Sequence, residues 1–116
     1  MTIPSGTGTE VLKNVMHTRT DGTEVLLING VADHIYTVLS VTVTNCATDA
    51  EIFYLIARDD GSGTPHYILF SQDLGSYETF VFSDRLVLSG TDELGLAMGG
   101  TCNVDITCSY IDQDWT

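Results

Sequence analysis

The segment His34–Asn45, HIYTVLSVTVTN, alternates apolar and polar side chains in β-branched residues, and this constrains the chain more than any other feature. Period-two alternation is the pattern of a strand with one buried face; a helix would scatter the same side chains around its axis. Read straight through, it places Ile35, Leu39, Val41 and Val43 on one face and His34, Ser40, Thr42 and Thr44 on the other. Cys102–Tyr110 repeats it, with Cys102, Val104, Ile106, Cys108 and Tyr110 inward and Asn103, Asp105, Thr107 and Ser109 outward. Further strands are predicted at about Glu10–His17, Thr23–Ile28, Ala50–Arg58, His66–Ser71, Tyr77–Phe82, Asp84–Leu88 and Glu93–Met98. Between them lie Asp-Gly, Asn-Gly and Gly-Gly pairs and the loops Asp59–Gly63 and Ser89–Asp92, residues that tolerate positive φ or bond their own backbone. No window sustains helical periodicity for three turns. The pattern predicts one all-β domain over residues 10–111, an antiparallel β-sandwich or flattened barrel of about eight strands. Residues 1–9 read as an N-terminal arm and residues 112–116 as a C-terminal tail.

Two segments break the alternation. Ile52–Ala57, IFYLIA, and Tyr67–Phe70, YILF, are apolar on both faces. Either they are central strands covered on both sides, or one face is buried by another subunit. Helices cover the second face in α/β folds, and this chain has none to spare, so the intersubunit reading leads. Phe53, Tyr54 and Tyr67 are therefore candidate interface residues. The arm keeps Ile3 and Pro4 in an otherwise polar stretch, and the tail ends in the single tryptophan, Trp115. These three join the candidate interface, with Trp115 either tucked on its own core or laid on a neighbour.

The 116 residues carry four Lys and Arg against sixteen Asp and Glu, a net charge of −12. That balance excludes autonomous nucleic-acid binding, which needs cations to displace counterions from phosphates. It equally disfavours docking on anionic membranes. Hydrophobic residues still make up 43%, so the chain is globular and not a disordered acidic tail. The opening residues have neither a basic nor an apolar stretch of the secretory kind, and synthesis in a cytoplasm is expected.

Chemistry-bearing motifs are sparse. Gly61-Ser62-Gly63 is too short for a nucleophile elbow, a single lysine precludes a phosphate-binding Gly-Lys loop, and His17, His34 and His66 lack a second ligand at metal spacing. Asp59-Asp60 and Asp112-x-Asp114 could offer oxygens to a divalent cation but match no EF-hand; solvated carboxylates are the simpler reading. No cofactor and no enzymatic activity are expected. Cys102 and Cys108, on one strand, would stand ~20 Å apart, beyond disulfide reach. Cys46 could pair with either, but three reduced thiols are favoured.

Particular strings carry a resemblance: IPSGTGTEVLK at the start, GVADHIYTVLS, FSDRLVLSGTDEL and the ending YIDQDW. Together they resemble small all-β virion structural proteins of tailed bacteriophages, over nearly the whole chain, in texture and order and not in any catalytic signature. The resemblance implies a non-enzymatic virion protein. The leading expectation is a capsid decoration (cement) protein that bridges major capsid subunits, itself a homo-oligomer such as a trimer, with no nucleic-acid or membrane partner. The alternatives are a neck, tail or fibre component, and a carbohydrate-binding sandwich, the last disfavoured because the aromatics look scattered along the sequence.

Overall fold

The computed structural model describes residues 8–61 and 63–115. It is all-β, as the alternation predicts: nine antiparallel strands in two sheets. The strands are β1 (Thr9–Arg19), β2 (Val25–Asn29), β3 (His34–Asn45), β4 (Glu51–Arg58), β5 (His66–Leu74), β6 (Thr79–Phe82), β7 (Leu86–Ser89), β8 (Glu93–Met98) and β9 (Val104–Asp114). One sheet runs β1-β9-β3 and then β6 and β7, both paired to β3; the other runs β2-β8-β4-β5. Counted as one strand interrupted at residues 83–85, β6 and β7 complete two interleaved four-stranded sheets. That strand order is an eight-stranded jelly roll.

The core lies between the inner faces. Val38, Val41 and Val43 of β3 and Val104, Ile106 and Cys108 of β9 meet Phe53 and Leu55 of β4 and Leu94 and Leu96 of β8, all buried. Phe53 stacks edge-on against Phe80 of the opposite sheet, ring centroids 5.4 Å apart.

For β9 the inward set follows the predicted alternation, except that Cys102 lies outside the strand, which begins at Val104. For β3 it does not. The pairing with β9 slips between Val38 and Ser40, so Leu39 is an extra residue. Such a bulge reverses the parity of everything before it. Tyr36 and Val38 therefore point inward, Ile35 is only half-buried, and Leu39 is 42% exposed on the outer face. The bulge sits opposite the break between β6 and β7, where β3 changes partner.

The tail expected at residues 112–116 is corrected over residues 112–114, which belong to β9; residue 116 lies outside the described residues. β9 continues to Asp114, pairing with Thr9 on one side and His34 on the other. What holds it is a part-buried cluster around the Asp112 carboxylate: Lys13 Nζ donates to it at 2.8 Å and His34 Nδ1 lies 2.7 Å from the other oxygen. Residues 1–7 of the expected arm, including Ile3 and Pro4, lie outside the described residues; Thr9 already belongs to β1.

Burial works against the Asp112 charge, but the hydrogen bonds from Lys13 and His34 outweigh it and hold the carboxyl below its usual range. A depressed folded value means stability that is complete above the unfolded value of about 3.9 and lost as pH falls through the folded one. Asp112→Asn should therefore cost roughly 1–2 kcal/mol at pH 7, reduced because Lys13 is half in water. Thermal unfolding should show that gap narrowing as pH falls below the unfolded value; a gap of unchanged size throughout the acid range would mean the charge contributes nothing.

Candidate interface

The outer face of the β2-β8-β4-β5 sheet gathers the aromatics. Tyr54 projects from β4, and Tyr67 and Phe70 from β5. Two register shifts between these strands, on either side of Leu55, make the odd spacing of Tyr67 and Phe70 possible. They turn Ile68 and Leu69 toward the core while sending their neighbours outward. Ser71, at φ 50°, sits in the same irregular stretch, and its Oγ donates to the Tyr54 hydroxyl at 3.3 Å.

The three rings pack mutually edge to face. Centroids are 5.9 Å apart for Tyr54–Tyr67, 5.2 Å for Tyr54–Phe70 and 4.9 Å for Tyr67–Phe70, with interplanar angles from 62° to 87°. Tyr67 remains 48% and Phe70 66% exposed. Beside Tyr67 in register, Ile56 is buried yet outside the main core, so part of this strand's second apolar face is covered by its own chain. Glu24 and Arg58 form a bidentate pair at the rim, one bond of 2.8 Å, in the space left by the missing side chain of Gly95.

Of the residues the sequence singles out, the fold brings Tyr54 and Tyr67 together and adds Phe70, whose exposure no alternation rule reveals. Phe53 is a correction: alternation puts it on the opposite face from Tyr54, and at 1% exposure it is core and offers nothing to a partner. Trp115 folds back on its own chain. Its backbone N–H donates to the Asp33 carbonyl at 3.0 Å, and its ring carbons lie 3.0 Å from where a Cβ on Gly8 would sit. The tryptophan thus fastens the ends of β1 and β9 together.

The other outer face is different in kind. Across β1-β9-β3 and β7, Leu12, Ile111, Thr37 and Val87 form one row. Met16, Thr107, Thr42 and Val81 form another, four residues away along β1 and β9. The row between them holds Asn14, Ser109 and Ser40. These three rows carry no charge in a chain of −12.

The acidic loops resolve into structure. Asp92 comes beside Asp59 and Asp60, with carboxylate oxygens within 4.8 Å of one another. The Asp92 oxygens accept the backbone N–H groups of Asp60 and Ser89 at 3.0 and 3.1 Å, so this carboxylate staples two turns. The thiols of Cys46, Cys102 and Cys108 are all free. Burial pushes Cys108 up to about 12, and desolvation also raises Cys102 and Cys46, the latter helped by Asp105. Alkylation of the native protein should label exposed Cys46 first, Cys102 slowly and Cys108 only on unfolding. Recovery of one thiol instead of three after non-reducing denaturation would refute free cysteines.

No family model and no curated protein matches the chain. Solved structures share its fold at low identity. A chain from Bacillus endospore appendages, described as a family of disulfide-linked pili, aligns with 14% identity and TM-score 0.55 over 100% of this chain and 97% of that one. Chains from infectious bursal disease virus, Gx and Gt strains, align at 10% and 8% identity with TM-scores of 0.55 and 0.52. They cover 91% and 92% of this chain, which spans only a third (33%) of each of theirs. The likeness is one of fold.

Proposed function

We propose that the chain is a non-enzymatic structural subunit of a virion, and specifically a capsid decoration protein that docks on major capsid subunits through Tyr54, Tyr67 and Phe70. The observation that carries this reading is the exposed aromatic cluster on a sheet face. Exposed large apolar patches are costly unless something covers them, and aromatic side chains dominate interface energetics. The fold is compatible, being shared with chains from pili and from a virus particle. The net charge of −12 would keep such a subunit off released DNA. A neck, tail or fibre position would use the same surface on another partner. The test is binding to undecorated parent particles: Tyr67→Ala with Phe70→Ala should weaken attachment at least tenfold, since each such anchor is typically worth ~2 kcal/mol. Unchanged attachment would sink the proposal.

The clustering also favours a second reading, recognition of carbohydrate, for which the order of aromatics along the sequence argues poorly. Against it, no two rings are coplanar, whereas a sugar face stacks on a flat ring presented to solvent. A glycan array positive for the native protein and negative for Tyr67→Ala would overturn the capsid reading in its favour.

A further inference from the structure

A sheet with open edges must either blunt them or use them. Three of the four edges among the described residues are blunted. β2 is five residues long and carries a register shift. β5 is shifted twice and bears Asp73. The β6/β7 edge is interrupted at residues 83–85. β1 is none of these: it runs eleven residues, pairs with β9 without a single shift, and contains no proline. Its lysine, the usual edge guard, is turned aside to Asp112. Its outward side chains Leu12 and Met16 are 71% and 70% exposed, the most exposed large apolar residues described.

We infer that β1 is the contact for a second copy of this chain, pairing antiparallel with its own counterpart across a two-fold axis at Asn14. The sequence of the strand is self-complementary in this arrangement. Full overlap of Thr9–Arg19 with itself places Asn14 opposite Asn14. The same register sets Leu12 opposite Met16 of the second copy, Lys13 opposite Val15, Glu10 opposite Thr18 and Arg19 opposite Thr9. No like charges face each other, and the two exposed apolar residues become a cross-strand pair of the kind that stabilises sheets. The uncharged rows then run on without interruption: Val87, Thr37, Ile111 and Leu12 continue into the partner's Met16, Thr107, Thr42 and Val81.

Charge points the same way. Two of the four basic residues, Lys13 and Arg19, lie on β1 with one acid, Glu10, so the strand is +1 within a chain of −12. Two copies meeting there bring no surplus of acids together on the strand itself. An isologous contact of this kind closes on itself as a dimer, and it stands whether or not the assembly is viral.

The experiment is sedimentation of the full chain with strand-specific variants. The native protein should sediment at twice the chain mass. Leu12→Lys with Met16→Lys should weaken the dimer at least 100-fold with an unchanged circular dichroism spectrum, which their exposure makes attainable. Val81→Lys with Val87→Lys, at the far edge of the same face, should leave it intact. A nitroxide on Asn14→Cys, in a Cys46→Ser, Cys102→Ser background, should show dipolar broadening from its partner that disappears in the doubly charged variant. A monomer at about 100 µM, where even weak contacts of ~10⁻⁴ M still show, would overturn the inference. So would a dimer that survives the β1 charges, or one whose Asn14 labels show no broadening.

Discussion

Phe53→Ala should lower stability by about 4 kcal/mol, the usual cost of emptying a buried phenylalanine site, and with it the melting temperature by roughly 15 °C. The ring has 1% exposure and bridges the sheets through Phe80. A native domain has only ~5–15 kcal/mol in hand, so this one truncation consumes a large share. Phe70→Ala should change stability by less than about 1 kcal/mol, because two-thirds of that ring is already in water and little burial is lost. The two phenylalanines thus separate folding from docking. Calorimetry on both variants decides it: a mild Phe53→Ala alongside a severe Phe70→Ala would mean that the cluster on β4 and β5 is a second core and not a surface for a partner.

That pair also marks where the sequence stops being readable. Strand identity is legible almost everywhere, because alternation and Gly/Asp turns are local signals. Facing is legible only where the ladder is regular. At Leu39 a single extra residue reverses the parity of β3, and nothing in the string HIYTVLSVTVTN distinguishes a bulge from a continuous strand. On β5 two further shifts decide that Tyr67 and Phe70 share a face with Tyr54. The cluster therefore follows from irregularities that sequence periodicity averages away. The ends mislead for another reason. Asp112 and Asp114 look like a solvated acidic tail until Lys13 and His34, 99 and 78 residues from Asp112, are brought beside it. Long-range pairing of this sort leaves no local mark. Leu12 and Met16 lie four apart on a strand, an ordinary spacing, and only the position of β1 at the edge exposes them.

The second large effect is expected at Gly30, between β2 and β3. A Cβ there would press into the backbone carbonyl oxygens of both Gly90 and Asp92. Its own N–H donates to the Asp92 carbonyl at 3.0 Å, so the approach is itself a bond of the fold. Backbone atoms cannot swing away as a side chain can, and Gly30→Ala must part the two loops. Overpacking of about 2 kcal/mol and a lost hydrogen bond of about 1 kcal/mol together predict a loss near 3 kcal/mol. Gly90 tests whether space or dihedral angle is responsible. It has φ 59° and nothing within 4 Å of where a Cβ would sit, so Gly90→Ala should cost only the left-handed penalty of about 1–2 kcal/mol. Gly100 has open space and no such angle, and Gly100→Ala should fall within about 0.5 kcal/mol of the native chain. The damage at Gly30 should also travel. The same loop supplies the Val31 N–H that bonds the Tyr36 hydroxyl and the Asp33 carbonyl that accepts from Trp115. Hydrogen exchange in Gly30→Ala should therefore accelerate at residues 112–115 as well as around residue 30. Were exchange to quicken only at the substitution, the fastening of β9 through Asp33 and Trp115 would be wrong; were Gly90→Ala the costlier change, the steric account of Gly30 would fail with it.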